Sequence, residues 1–330
     1  KMAKIVKEIE KQHTADVKSV QEEVKRFYSQ KKKVIIYRGA TNSTRSVKFE
    51  KEKFVDVSTL NRIISIDTHA KYILVEPNVP MDKLVEETIK YGLVPPVVPE
   101  FPGITVGGGV QGGAEESSSF KYGMMHDCCL EYEIILGNGE RITASPQQNS
   151  DLFWGTAASY GSLGVVTLIK LRLVPAKDFI HLTYHTIRSF EEAIELVRQK
   201  SGEAVNFIDG IMFSKNLGVI MTGNFADKSN LPVSTFHKST DGWFYVHANK
   251  ISKKYDHYEE LIPIRDYLFR YDRGAFWMGR YGFKIFKIPF LIFLQNCRGK
   301  RHPKIPHLYR KIYFSNYRHI PRVCHNTSVT

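Results

Sequence analysis

The chain has 330 residues, 42% of them apolar, with 25% charged and a formal net charge of +13. That length suggests two domains, or one domain with an appendage, and the composition excludes global disorder. The charge does not mark a nucleic-acid-binding body: 12 of the positive side chains fall in residues 273–330, which contain no Asp or Glu, so residues 1–272 carry only +1.

Residues 15–31 predict an amphipathic helix, because Val17, Val20, Val24, Phe27 and Tyr28 recur at helical spacing among charges. A strand is predicted at Val34–Tyr37, running into the small-polar turn Arg38-Gly39-Ala40-Thr41-Asn42-Ser43. Phe54–Val57 and Tyr72–Val75 read as strands and Met81–Tyr91 as a helix stopped by Gly92. Val94 to Gly113 is rich in Pro and Gly. Leu130–Leu136 and Arg141–Ala144 then form a predicted hairpin about Asn138-Gly139. Leu163–Val174 is a β-branched strand ending at Pro175, and the texture changes there, so a boundary is placed near residue 176. Beyond it come a strand at His181–Ile187, a helix opened by a Ser189/Glu192 capping box and closed by Gly202, and a strand pair at Phe207–Phe213 and Leu217–Thr222.

Cys128, Cys129, Cys297 and Cys324 show no C-x-x-C spacing, so no metal site is expected and a reducing compartment is the simpler reading. Asn42-Ser43-Thr44 and Asn326-Thr327-Ser328 fit the glycosylation triplet, which is common by chance. The N-terminus has no signal-peptide pattern, and position 1 is not Met, which leaves room for a lost upstream anchor. No apolar run reaches the ~18 residues that span a bilayer. Ile285–Leu294 comes nearest and is broken by Lys287 and Pro289.

Three turns carry the chemistry. Thr105-Val106-Gly107-Gly108-Gly109-Val110-Gln111-Gly112-Gly113 holds five glycines in nine residues. Bare backbone of that kind can approach a pyrophosphate and aim successive N–H groups at it. It is not the dinucleotide fingerprint, because no strand leads into it. An unliganded tight turn explains it equally well. Arg38–Thr44 offers Gly39 and a run of hydroxyl and amide donors, and Ser159–Gly164 is a third Gly/Ser turn feeding a strand. Either alone reads as an ordinary polar turn; three beside strands suggest one extended ligand.

The order Arg-Gly-Ala-Thr-Asn-Ser, Pro-Gly-Ile-Thr-Val-Gly-Gly-Gly, Ser-Asp-Leu-Phe-Trp and Gly-Ser-Leu-Gly-Val-Val-Thr resembles the PCMH-type FAD-binding flavoproteins of the vanillyl-alcohol oxidase superfamily. Pro99-Glu100, Glu116-Ser117-Ser118-Ser119, Lys121-Tyr122-Gly123, Ile262–Tyr267 and Phe276-Trp277 narrow the resemblance to the Δ24-sterol reductase (Diminuto-like) family over roughly residues 30–280. The stretch Glu116–Gly123 is the specific part.

The resemblance implies an α+β fold: a bipartite FAD-binding domain at 1–176 (halves about 1–93 and 94–176), a smaller α+β cap at 177–280, and a basic, divergent tail at 281–330. It implies FAD reduced by NADPH and a sterol side-chain double bond as substrate, with steroid biosynthesis at the endoplasmic reticulum membrane as the setting. The expected FAD contacts are Arg38, Gly39, Ala40, Thr41, Asn42, Ser43, Thr105, Val106, Gly107, Gly108, Gly109, Gly112, Gly113, Ser117, Tyr122, Gly123, Gly161, Ser162, Gly164 and Val166. Asn42 stands where many relatives carry a flavin-linked His, which implies non-covalent FAD. Candidate proton donors are Tyr267, Tyr271 and His126, with Glu100 and Tyr122 nearby; core packing and surface exposure are the rival readings. Arg265 fits either an NADPH phosphate or a surface salt bridge. The tail after Phe276 departs from the family: it reads as a divergent or incorrectly translated end, a truncation, or a membrane-surface element, since basic residues stand beside aromatic and aliphatic ones. Two further functions stay open: a sugar-acid or lactone oxidase of the same superfamily, and a non-catalytic, flavin-binding, membrane-associated protein.

Overall fold

A computed structural model describes residues 2–39 and 49–285, with side chains described over 6–39 and 49–281. The expectations placed on Ala40, Thr41, Asn42 and Ser43, on Cys297, Cys324 and Asn326, and on the tail beyond residue 285 lie outside the described residues.

The chain opens with helix α1 (Met2–Ser29), then β1 (Ile36–Tyr37), β2 (Val55–Asp56), β3 (Ile63–Asp67), β4 (Tyr72–Val75), α2 (Met81–Ile89) and β5 (Leu93–Val94). Short helices α3 (Val106–Gly112) and α4 (Ser119–Tyr122) precede β6 (Cys129–Ile135), β7 (Arg141–Ala144), α5 (Ser150–Thr156), β8 (Val165–Arg172) and β9 (Val174–Pro175). The second half contains β10 (Phe179–Ile187), α6 (Phe190–Ser201), β11 (Phe207–Ser214), β12 (Leu217–Ala226), α7 (Phe244–Lys254), β13 (His257–Pro263), α8 (Ile264–Leu268) and α9 (Met278–Ile285).

The α1 stripe packs as its spacing demands. Val17, Val20, Val24 and Phe27 are all buried against Val55, Val57, Leu60, Ile135 and Val165. Full burial of such side chains stabilises by about 1.5–3 kcal/mol each. Tyr28, expected on that stripe, is 61% exposed, because one residue past Phe27 turns the side chain about 100° around the axis. A polar clasp completes the docking: His13 Nδ1 lies 2.8 Å from Glu76 Oε1, and Arg62 bridges Asp16 and Glu76.

A five-stranded antiparallel sheet runs in the order β3-β4-β8-β6-β7. Its β6–β7 hairpin turns at Asn138-Gly139, where Gly139 holds φ +82°, a region open to glycine at no steric penalty. A separate four-stranded antiparallel sheet, β11-β12-β10-β13, uses only residues 179–263. Along β10, Ile180, Leu182 and Tyr184 point into the core, while Ile187 and Ile220 pack under α6. One continuous core joins Ile73, Val106 and Met125 of the first half to Tyr184, Phe244 and Tyr267 of the second. The fold is α+β.

Candidate functional site

The glycine segment is a helix. Thr105 caps it, accepting from the Gly108 N–H at 3.2 Å, and Gly113 closes it at φ +67°. Four glycines inside the helix weaken it by up to ~1 kcal/mol each relative to alanine, so packing must hold this one. A Cβ on Gly107 would stand 2.6 Å from Pro77 Cβ, and one on Gly109 would collide with Met125 Sδ. These two glycines seat the helix on its neighbours. Gly112 differs: a Cβ there would meet nothing within 4 Å.

Successive N–H groups aimed at a ligand were expected here, and the structure corrects that. The Val106 and Gly107 N–H groups donate to Val79 O and Pro77 O at 2.9 and 2.8 Å, and that of Gly108 goes to Thr105 Oγ1. What α3 offers is bare surface beside a cation.

That surface floors a cleft of about 620 Å³, within the size range of small-molecule sites. Val34, Ile35, Ile36, Val57, Ile104, Val165 and Val166 give it apolar walls, and Gly161, Tyr160, Asn78 and Gln111 complete the rim. Arg38 is the one charged residue among its described lining residues, and Arg38 Nη1 would stand 3.7 Å from a Cβ on Gly108. Apolar walls and a lone cation suit a ligand with aromatic rings at its ends and an anionic centre. Tyr160 is 84% exposed at φ +54° on this rim, a backbone state that non-glycine residues adopt rarely.

Of the expected contacts, Arg38, Thr105, Gly107, Gly108, Gly109, Gly112, Gly161 and Val166 line the cleft together. Gly39 follows Arg38 at φ +77°. The rest of the described ones lie off its lining. Val106 is core, and Gly113 is the αL cap. Tyr122 sits under Lys121 and Arg172, and a Cβ on Gly123 would collide with Asp127. The Ser162 N–H closes a turn on Ser159 O, and a Cβ on Gly164 would stand 2.6 Å from Ile135 O. Ser117 belongs to a second cleft.

That second cleft, about 410 Å³, opens between the halves and is lined by Glu100, Glu115, Glu116, Ser117, Asp209 and Tyr271, with Val197, Ile208 and Phe276 as its apolar wall. Behind it lies Arg270, whose side chain is 1% exposed. Its Nη2 donates to Glu116 Oε1 and to Asp209 Oδ2, each at 2.8 Å, and its Nη1 to Tyr267 O at 3.0 Å. The Tyr271 hydroxyl donates to Asp209 Oδ2 at 2.6 Å, and Ser117 Oγ lies 3.3 Å from the Tyr267 hydroxyl. The guanidinium also lies over the rings of Tyr267 and Tyr271, at 4.3 and 4.7 Å.

Burial pushes Glu116 up to about 7; Arg270 opposes that rise while Asp209 and Glu100 add to it. Burial likewise raises Glu100, and it raises the phenols of Tyr267 and Tyr271 above the ordinary tyrosine value. The two tyrosines do not share a helix face as expected: α8 ends at Leu268, and they meet through Arg270 instead. His126 lines neither cleft, and its Nε2 lies 3.7 Å from Asp127 Oδ1. Arg265 pairs with Glu86 at 2.6 Å, the salt-bridge reading. Asp209 and Arg270 had no signal in the sequence, being single residues that only the fold brings together.

An α+β chain with this glycine-floored, single-cation cleft has the form of a PCMH-type FAD-binding domain. Residues 13–145 match the family described as FAD binding domain. The chain is 32% identical over 275 residues to the Delta(24)-sterol reductase of Mus musculus, covering 80% of this chain and 52% of that protein. The Homo sapiens Delta(24)-sterol reductase is 31% identical over 274 residues with the same coverage. That of Pisum sativum is 31% identical over 246 residues, covering 68% of this chain and 43% of that protein. The protein carries an FAD binding domain and is a relative of the Delta(24)-sterol reductases; it spans about half the length of the curated relatives it matches.

Proposed function

We propose that the protein is an FAD-dependent oxidoreductase that reduces a side-chain carbon–carbon double bond of a sterol-like molecule, with NADPH as electron donor. The observation that carries this is the pairing of two clefts along one chain segment: Ala114 lines the cofactor cleft, and Glu115, Glu116 and Ser117 line the next. The relatives' name supplies the substrate class.

FAD, when bound and reduced, supplies hydride chemistry; the protein supplies binding, orientation and charge. In this reading Arg38 neutralises the pyrophosphate, the bare faces of Gly108 and Gly112 let it approach, and the valine and isoleucine walls exclude water from the rings. FAD is held without a covalent link, because Asn42 cannot form one. The other described expected contacts, Gly39, Val106, Gly113, Tyr122, Gly123, Ser162 and Gly164, lie off the cleft lining.

The second cleft supports a lipophilic substrate. Its wall residue Val197 continues an apolar stripe on α6, with Phe190 61% and Ile194 53% exposed at helical spacing. The same reading places the protein at the endoplasmic reticulum membrane, with the basic tail as a surface contact. No described helix is long and apolar enough to cross a membrane.

Anaerobic stopped-flow of the FAD-loaded protein tests the proposal. NADPH is expected to bleach the flavin, and a Δ24-sterol to restore its colour with formation of the saturated side chain. Bleaching by a sugar acid, or failure of the sterol to reoxidise the flavin, would overturn it.

A further inference from the structure

We infer that Glu116 is the group that hands a proton to the substrate alkene, held in place by Arg270, while Asp209 and Glu100 oppose the positive charge that builds on carbon. This inference rests on the reductase reading above.

The geometry selects Glu116 over the other acids. Both its oxygens are fixed: Arg270 Nη2 lies 2.8 Å from Oε1, and the Ser117 N–H donates to Oε2 at 2.8 Å. The side chain is only 9% exposed, yet it lines an open cleft whose lining also includes Val197, Ile208 and Phe276. Tyr271 already donates its proton to Asp209, and burial holds both phenols back from ionising. His126 faces neither cleft.

The local charge balance points the same way. Glu100 comes from the segment before α3, Glu116 from the segment after it, Asp209 from β11, and Arg270 follows α8. Three carboxylates thus face one buried cation. Burial is the main reason Glu116 rises to about 7, with Asp209 and Glu100 adding to the rise and Arg270 and the Ser117 N–H opposing it. Acidic side chains gathered around the cleft also favour a cation on carbon. The Arg270 Nε finds no hydrogen-bond partner among the described residues, although the side chain is 1% exposed.

In the transfer, the alkene π pair takes the proton from the Glu116 O–H and forms one C–H bond. Glu116 is left as a carboxylate, which water reprotonates from the open side of the cleft. The hydride that completes the second C–H bond, with its two electrons, comes from the reduced flavin, which is oxidised.

Two readouts on the FAD-loaded protein test this. Carboxyl ¹³C NMR of glutamate-labelled protein should show one glutamate titrating near neutral pH, absent in Glu116→Gln and moved to lower pH in Asp209→Asn. Stopped-flow should show NADPH bleaching the flavin normally in Glu116→Gln, with sterol-driven reoxidation slowed roughly 100-fold or more, the scale of positioned proton transfer. If no glutamate titrates above about pH 5.5, where ordinary carboxyls are already ionised, or if Glu116→Gln reoxidises at the wild-type rate, the inference is wrong. Should Glu116→Gln not fold, the Asp209→Asn shift decides: an unmoved titration overturns it. Wild-type protein that no sterol reoxidises would sink the substrate reading and the transfer step with it; the NMR titration would still show whether Glu116 holds a proton.

Discussion

Arg270 Nη2 and Glu116 Oε1 lie 2.8 Å apart across 154 residues of chain, and this contact ties the FAD-binding half to the second sheet. Around it, the Ile208 N–H of β11 donates to Ser117 O at 2.8 Å, so backbone and side chains clamp the same joint. The clamp sits where the halves must be registered if a substrate in the second cleft is to reach a cofactor in the first.

Removing Arg270 should therefore be severe. Arg270→Met leaves Asp209 without its buried cation and Glu116 without its guanidinium hydrogen bond, and losing one partner of a buried ion pair destabilises by about 3–5 kcal/mol. Urea unfolding is expected to show a loss of that order. A change under about 1 kcal/mol, the usual worth of a surface pair, would mean that the pair is solvated.

Two glycines of α3 should respond in opposite ways. Gly107→Ala must displace Pro77, and such overpacking is expected to destabilise by about 1–3 kcal/mol. Gly112→Ala faces open space, so the unliganded protein should stay within about 0.5 kcal/mol of the parent. Its FAD affinity should drop about tenfold or more, equivalent to ~1.4 kcal/mol. Thermal melts with and without FAD separate the two; an unchanged FAD affinity in Gly112→Ala would remove that face of α3 from the site.

The α1 clasp is expected to be pH-dependent. Burial disfavours the charged form of His13, but the Glu133 carboxylate 3.6 Å from its Nε2 and the hydrogen bond to Glu76 outweigh it and raise His13 to about 9. A folded pKa above the unfolded value of ~6.5 stabilises fully below that value. The benefit is lost as pH rises through about 9. Glu133 behaves in reverse. Burial raises it, yet the nearby His13 ring and hydrogen bonds from Thr167 and Arg141 hold it down at about 2, so its contribution is lost only as pH falls toward that value. Hydrogen exchange of α1 amides should quicken between pH 7 and 9.5 in the parent, once corrected for intrinsic rates, and much less in His13→Gln. Identical pH dependence in both would refute the clasp.

Local signals in the sequence were legible where one element decides the outcome. The stripe Val17–Phe27, the Asn138-Gly139 hairpin and strands Tyr72–Val75 and Arg141–Ala144 stand where their patterns put them. At Ser189/Glu192 the capping box is half formed: Ser189 Oγ accepts from the Glu192 N–H at 3.1 Å, but the Glu192 carboxylate takes the Arg188 N–H. Strand β3 was not anticipated, because Ile63–Asp67 lacks the alternation of a half-buried strand. Helix α7 was missed too, since its N-cap Trp243 makes no side-chain cap. The glycine segment reads as a loop because four glycines within it lower helix propensity, and packing on Pro77 and Met125 makes it a helix. In the Glu116–Arg270–Asp209 cluster only Glu116 carries a sequence signal, as part of Glu116–Gly123; Asp209 and Arg270 have no local pattern, and long-range folding alone brings them to it.

The most direct test of the account is FAD titration of the purified apoprotein, followed by flavin fluorescence and the visible spectrum, alongside Arg38→Met and Gly112→Val. The account predicts saturable, dialysable uptake of one FAD per chain, weakened by both substitutions without loss of fold. A parent chain that folds yet takes up no FAD, or that binds it unchanged when Arg38 and Gly112 are altered, would contradict it.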